Sequence, residues 1–352
     1  MTARARYATA LRRSRLVIEE YHPETLVALA EVLAERAPTI VIGAGRDGSA
    51  RPDAPSAIVH TDALPKRITL DAHSGLAQVS AWSTWAELER EVSGAGWTIS
   101  HLQDADPDAS VGGTLARAAL LPALWMSQTS AAACVGAEAL SGTGERYSYP
   151  DAPRTSSGPD WRTLWFGSEG RGGALTRISI ELARAMPITA HRIAARRISS
   201  RRLRLLLEPF LNIAQLAPAS ADAWRVRVRG DSHRASLARQ HLSAAGFAQV
   251  PAEAAVWPEK ALLVAAPWSH TNALRALDLP PGARWQSWAS GPTHVLWLLT
   301  ADRAGASDFV DVAQRLMATP GSSLVRVTFR GLLRPVRTTA WLPRDVCRGR
   351  EA

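Results

Sequence analysis

Three glycine-bearing turns in the first half of the chain constrain its fold more than any other feature of the sequence. The first, Gly43-Ala44-Gly45-Arg46-Asp47-Gly48-Ser49, follows the β-like run Thr39–Ile42. The second is Asp108-Ala109-Ser110-Val111-Gly112-Gly113-Thr114. The third, Gly158-Pro159-Asp160, leads on to Gly167-Ser168-Glu169-Gly170-Arg171-Gly172-Gly173. Backbone N–H groups hold a nucleotide diphosphate well, and they approach it most easily where side chains are absent. Glycine also reaches the positive φ values that turn successive N–H groups inward as an anion nest. A helix over Thr114–Leu120 would add its dipole to the second turn. The first turn lacks the Lys-Ser/Thr of a P-loop. Gly43, Gly45 and Gly48 match G-x-G-x-x-G by count, but no helical pattern follows them and no acidic residue ends a second strand about 20 residues on, which disfavours a Rossmann unit.

Around these turns the apolar periodicity alternates between helix and strand. His22–Ala37 has helical spacing (Leu26, Leu29, Ala30, Val32, Leu33), and Trp82–Gly94 carries Trp85, Leu88 and Val92 on one face, with a C-cap at Gly94–Gly96. Strand patterns occupy Arg67–Asp71, Ala77–Ala81, Trp97–His101 and Thr176–Leu182. Arginine density rises over Ala183–Arg204, where a domain boundary is expected. Beyond it, strands are expected at Ala223–Val228, Ala261–Ala266, Val295–Thr300 and Ser323–Phe329. Helices are expected at Ser232–Ala245, ending at Gly246, and at Ser269–Leu277 and Phe309–Ala318. That order suits a smaller ferredoxin-like α+β domain on one antiparallel sheet. A chain of 352 residues accommodates two such domains, here 1–185 and 186–340, with a tail at 341–352.

The net charge of +9 is a weak guide, because only Lys66 and Lys260 among 41 basic residues are lysines, an arginine bias expected of a GC-rich genome. The run Arg192–Arg204 reads as a solvated linker helix. The other readings are an interface for an acidic partner subunit and, last, nucleic acid, for which no binding motif is present. Cys134 and Cys347 form no CxxC pair and have no histidine at ligand spacing, so zinc, iron–sulfur clusters and a disulfide scaffold are not expected. His22, His60, His73, His101, His191, His233 and His241 suggest no ligand cluster and no metal. No apolar run approaches the ~20 residues of a membrane helix. The N-terminus has arginines but no apolar region behind them, so a cytoplasmic location is expected.

The order and wording of the turns resemble the PCMH-type FAD-binding domain of the vanillyl-alcohol-oxidase superfamily. The likeness is to the branch holding alkyl-dihydroxyacetonephosphate synthase, D-lactate dehydrogenases and the glycolate oxidase FAD-binding subunit. It rests on Val41-Ile42-Gly43-Ala44-Gly45, Thr84-Trp85-Ala86-Glu87-Leu88-Glu89, Ser110-Val111-Gly112-Gly113 and Val135–Leu140 with Gly142. The most specific match is Ser157-Gly158-Pro159-Asp160 with Leu164-Trp165-Phe166-Gly167-Ser168-Glu169-Gly170, continued by Ala174–Ile180. It spans Tyr21 to Leu182 and, more faintly, Trp224–Thr300. The chain departs from the family at Ala118-Ala119-Leu120-Leu121 and Ser130–Cys134, where a glycine-containing stretch is usual, and at Arg171.

The resemblance implies an α+β flavoprotein with a PCMH-type FAD-binding module and a smaller ferredoxin-like cap. FAD would be held by Gly43, Ala44, Gly45, Arg46, Asp47, Ser110, Val111, Gly112, Gly113, Thr114, Asp160, Gly167, Ser168, Glu169, Gly170, Ala174 and Leu175. It implies an oxidoreductase, a dehydrogenase or oxidase of a small 2-hydroxy acid, working as the FAD-binding subunit of a glycolate-oxidase-like complex. The departures leave a second reading open, a non-catalytic homologue acting as a binding or scaffold subunit. No catalytic residue stands out. His294 is the candidate base, and Arg225, Arg227 and Arg229 share one strand face able to clamp a carboxylate; a structural histidine and a solvated arginine face over a valine core are the competing readings. Trp285, Trp288 and Trp297 belong to the core, or else line a pocket or subunit contact.

Overall fold

The computed structural model describes residues 17–35, 39–44, 56–99, 107–117, 134–151, 162–166, 168, 170, 173–210, 214–217, 219–220 and 222–252; beyond these it describes 261–267, 274, 279, 283–290, 294–301, 312 and 326–330. The first region opens with a small parallel sheet of β1 (Val17–Tyr21), β2 (Thr39–Ile42) and β3 (Ser56–His60), in the order β1-β3-β2. Parallel pairing needs a crossover. Between β1 and β2 it is the helix α1 (Leu26–Glu35), which buries Leu29 and Leu33 completely. Thr25 caps that helix, its Oγ1 accepting from the Ala28 N–H.

A five-stranded antiparallel sheet follows, built from β4 (Ile68–Asp71), β5 (Leu76–Ser80), β7 (Cys134–Ser141), β8 (Arg146–Tyr149) and β9 (Gly173–Glu181), in the order β4-β5-β9-β7-β8. The short pair β6 (Trp97–Thr98) and β10 (Ala183–Arg184) flanks it, with the Arg184 guanidinium 4.0 Å over the Trp97 ring. Between β5 and β6 lies α2 (Trp85–Ser93), started by a capping box: Thr84 Oγ1 accepts from the Glu87 N–H, and the Glu87 carboxylate accepts from the Thr84 N–H. Its apolar face, Trp85, Leu88 and Val92, is buried as its spacing predicts. Asp151 clips the sheet, accepting from Ser179, Gln78 and Arg177. Burial pushes its carboxyl up, but the bonds from Ser179 and Arg177 outweigh that and hold it below the usual carboxylate value. The strands β1, β3 and β8 have no counterpart in the sequence reading. Glu19, Glu20, Arg146 and Ser148 interrupt the apolar patterns of β1 and β8, both of which lie at sheet edges.

After β10 come β11 (Ile188–Ala194), β12 (Ala214–Leu216), β13 (Ala219–Ser220), β14 (Ala223–Arg229), β15 (Ala248–Val250), β16 (Ala261–Pro267), β17 (Ala283–Ser290), β18 (His294–Ala301) and β19 (Arg326–Arg330). They make two antiparallel sheets, β12-β14-β11-β15 and β13-β17-β18-β16-β19, in place of the single sheet expected. The two sheets share one core, in which Trp224, Trp285 and Trp297 are fully buried. Trp285 and Trp297 are thus core residues. The helices α5 (Ser200–Leu207) and α6 (His233–Ala244) contribute Leu203, Leu207, Ala235, Ala238 and Leu242 to the same core. The first region also holds two short helices after α2, α3 (Val111–Arg117) and the four-residue α4 (Arg162–Trp165). The arginine-rich run is not one linker helix. Arg192 lies on β11, which pairs with β14 along its whole length; a turn at Ala195–Arg197 follows, and Arg201, Arg202 and Arg204 lie on the exposed side of α5. Strand alternation and helix periodicity each put arginine outward there, so charge density hides the change of element. The expected helices Ser269–Leu277 and Phe309–Ala318 lie outside the described residues except for Leu274 and Val312, and the tail 341–352 lies wholly outside.

His191 on β11 is buried, and its Nε2 meets Thr189 Oγ1 at 3.2 Å. Burial, then the charge of Arg239, lowers its pKa below the ordinary 6.5. Between the folded value and 6.5 the unfolded chain therefore binds the extra proton, and stability falls as pH drops through that window. Urea unfolding from pH 7.5 down to 5 is expected to show this loss, and His191→Gln to remove it. An identical slope in parent and variant would show that His191 does not carry it.

Candidate cofactor site

The first two turns meet although they lie far apart in the chain. The Ser110 side chain reaches the start of the first turn, where its Oγ accepts from the Ala44 N–H at 3.3 Å and, within its own turn, from the Gly113 N–H at 3.3 Å. A methyl group on Gly43 would lie 2.1 Å from this Oγ, and one on Gly113 would lie 2.6 Å from it. Both glycines are thus set by close approach. Neither they nor Gly112 takes the left-handed φ expected of a nest.

The helix after the second turn, α3 (Val111–Arg117), also begins earlier than the expected Thr114–Leu120, so that Gly112 and Gly113 lie in its first turn. Tertiary contact explains the shift. The Val111 N–H donates to Ser83 O at 2.8 Å and the Gly112 N–H to Ala81 O at 2.6 Å, which ties the helix start to the turn that leads into α2. A side chain on Gly112 would sit 2.6 Å from the Ala81 Cβ. These two N–H groups are satisfied within the protein, and those of Ala44 and Gly113 are spent on Ser110 Oγ, so the donor that this meeting point turns outward is the Ser110 hydroxyl. Thr114 is committed too: its Oγ1 accepts from the Trp85 indole at 2.9 Å and donates to Ser110 O at 2.8 Å.

The third turn reaches the same sheet. Gly170 has φ 76, and its carbonyl accepts from the Val41 N–H on β2 at 3.3 Å. A side chain there would lie 2.7 Å from Val41 O. Ser168 closes α4 (Arg162–Trp165), its Oγ donating to Trp165 O at 2.8 Å. Ala174 and Leu175 run along β9 opposite Leu140 and Ala139. The expected site residues Gly45, Arg46, Asp47, Asp160, Gly167 and Glu169, and the divergent stretch Ala118–Leu121, lie outside the described residues. In the second region, Arg225, Arg227 and Arg229 do alternate with the buried Val226 and Val228 along β14, and Arg227 is itself buried. His294 opens β18, paired with Pro267.

The sequence reading missed one constellation. Glu20, His22 and His60 converge where β1 and β3 end, and His60 stands beside Ile42, the residue before the first turn. Only the parallel pairing of β1 with β3 brings them together.

Residues 15–148 match the family described as FAD binding domain, which indicates FAD as the cofactor. Two solved structures of alkyldihydroxyacetonephosphate synthase, in different crystal forms, share the fold over most of the chain. One has TM-score 0.63 and 10% identity, covering 84% of this chain and 69% of its own. The other has TM-score 0.59 and 11% identity, covering 85% and 72%. At these identities the likeness is one of fold. No curated protein matches the chain in sequence. Among the described residues, no helix is long and apolar enough to cross a membrane.

Proposed function

We propose that the chain is a cytoplasmic FAD-dependent oxidoreductase of a small 2-hydroxy acid, working as the FAD-binding subunit of a larger complex. The observation that carries the reading is the meeting of Ala44 N–H, Gly113 N–H and Ser110 Oγ at one end of the parallel sheet. This arrangement suits a phosphate oxygen: Gly43 and Gly113 let the two turns close on Ser110 Oγ, which accepts from both amides and keeps its own proton to donate outward. FAD, when bound, supplies the two-electron acceptor. The chain's own residues then have to orient the substrate. Arg225, Arg227 and Arg229 lie along one face of β14 as the candidate clamp for a carboxylate, with Arg225 also donating to Pro251 O. The exposed arginines Arg201, Arg202 and Arg204 suit an acidic partner subunit.

The purified protein is expected to show absorbance bands near ~370 and ~450 nm, or to acquire them on adding FAD, and to bleach with glycolate or D-lactate. A protein that takes up FAD but is not reduced by any 2-hydroxy acid, alone or with its partner, would remove the substrate assignment. A protein that ignores FAD would make it a non-catalytic subunit. Gly43→Ala tests the site itself. Its methyl group displaces the Ser110 hydroxyl, so FAD affinity is expected to fall about 10- to 100-fold, or about 1.4–2.8 kcal/mol. Ser110→Gly in the same chain opens that space and is expected to recover part of the loss, the non-additivity measured by a double-mutant cycle. Strictly additive losses in flavin titrations would show that the two residues do not meet.

A further inference from the structure

We propose that Glu20, His22 and His60 form a binding site for one divalent transition-metal ion of the zinc class, with Asp62 orienting His22. The ligand atoms of these three residues all lie within 4.8 Å of one another. Glu20 is on β1, His22 lies just beyond its end, and His60 ends the neighbouring strand β3, so the parallel ladder itself sets their spacing. Glu20 Oε2 and His60 Nε2 are 3.1 Å apart. Ligands about 2.0–2.2 Å from a tetrahedral zinc ion stand roughly 3.3 Å apart, so this pair is close to ligating geometry.

His22 Nδ1 lies 3.1 Å from Asp62 Oδ1. With the Nδ1 proton donated to that carboxylate, Nε2 carries the lone pair, which is the tautomer a metal requires and the carboxylate–histidine arrangement that raises ligand basicity. The His22 and His60 rings stack, with centroids 4.4 Å apart and planes 6° apart. Stacked rings aim their lone pairs side by side, so one ring has to tilt for the two to converge. His60 is buried at 3% exposure and stays; His22, at 52%, has the room to turn. Its exposure leaves one side of the ion open to water, as in a three-ligand zinc site. Two imidazoles and one carboxylate favour zinc, cobalt or nickel over magnesium or calcium, which prefer all-oxygen sites.

The test is titration of the chelator-treated, desalted full chain with Zn²⁺ by calorimetry and with Co²⁺ by visible absorbance. Neither readout needs flavin or activity, so the result does not depend on the flavin reading. One equivalent is expected to bind, raising the melting temperature, with chelator reversing the rise. Magnesium at the same concentration is expected to do neither. His22→Ala is expected to weaken binding at least about 100-fold and Asp62→Asn about tenfold, in line with the 10- to 100-fold cost of losing an outer partner. Both side chains are substantially exposed, so these variants test the site without disturbing the core. Absence of a saturable single site, or equal affinity in parent and His22→Ala, overturns the proposal.

Discussion

Gly173→Ala is expected to destabilise the first region by about 3–5 kcal/mol, enough to lower its melting temperature by roughly 10 °C or more. Gly173 opens β9 with φ 148, where an L side chain is strained. A methyl group there would lie 2.2 Å from Leu140 O, 2.6 Å from Trp165 Cζ3 and 3.0 Å from Ser141 Cα. None of these atoms yields cheaply. Leu140 and Ser141 belong to β7, the partner of β9 at the centre of the sheet, and Trp165 is buried. Relieving the clash means breaking ladder bonds next to Ala174 and Leu175, so flavin retention should fall with stability. Gly94→Ala is the matched control. Gly94 is right-handed (φ −59), and its nearest potential contact is 3.8 Å away, so alanine should change stability by no more than about 0.5 kcal/mol. If calorimetry finds the two variants melting together, the tight passage at Gly173 does not exist in solution.

Trp224→Ala should cost about 3–5 kcal/mol in the second region, the usual price of deleting a fully buried tryptophan. Trp224 sits on β14 in one sheet and packs on Trp297 of β18 in the other, with ring centroids 5.8 Å apart and planes tilted by 58°. Its indole N–H reaches Ile198 O at 3.4 Å, just before α5. Removing the ring opens a cavity where both sheets and the helical layer meet. Buried residues from Leu29 to Leu182 form one cluster and those from Ile193 to Val312 another. The loss should therefore appear as a lower-temperature transition of the second region, with the first close to its parental melting point. Trp224→Phe keeps much of the ring contact and should lose less. A single transition shifted as a whole would show that the two cores melt as one unit.

The local elements were legible where one periodicity ran uninterrupted. Thr39–Ile42 was read with its observed bounds, and the apolar face Trp85, Leu88 and Val92 is the buried one. In the second region, Ser232 caps α6 at the start expected for that helix. Where charge overlay masked the pattern, as in Arg192–Arg204, a strand, a turn and a helix read as one element. The second sheet of that region was missed because an antiparallel strand looks alike in either sheet; partner choice leaves no periodicity of its own.

The sequence by itself determined the alternation of elements, the three glycine turns and the resemblance to a PCMH-type FAD-binding domain, because each is written in neighbouring residues. Only the tertiary structure decided which turn groups face one another. Ser110 finds Ala44 across 66 positions, and His60 finds Glu20 across 40. Contact with Ala81 and Ser83, not local propensity, fixes where α3 begins and which of its N–H groups are satisfied. The physical reason is the same in each case. Backbone hydrogen bonding between distant segments sets these positions, and such pairing depends on the whole sheet rather than on the residues on either side.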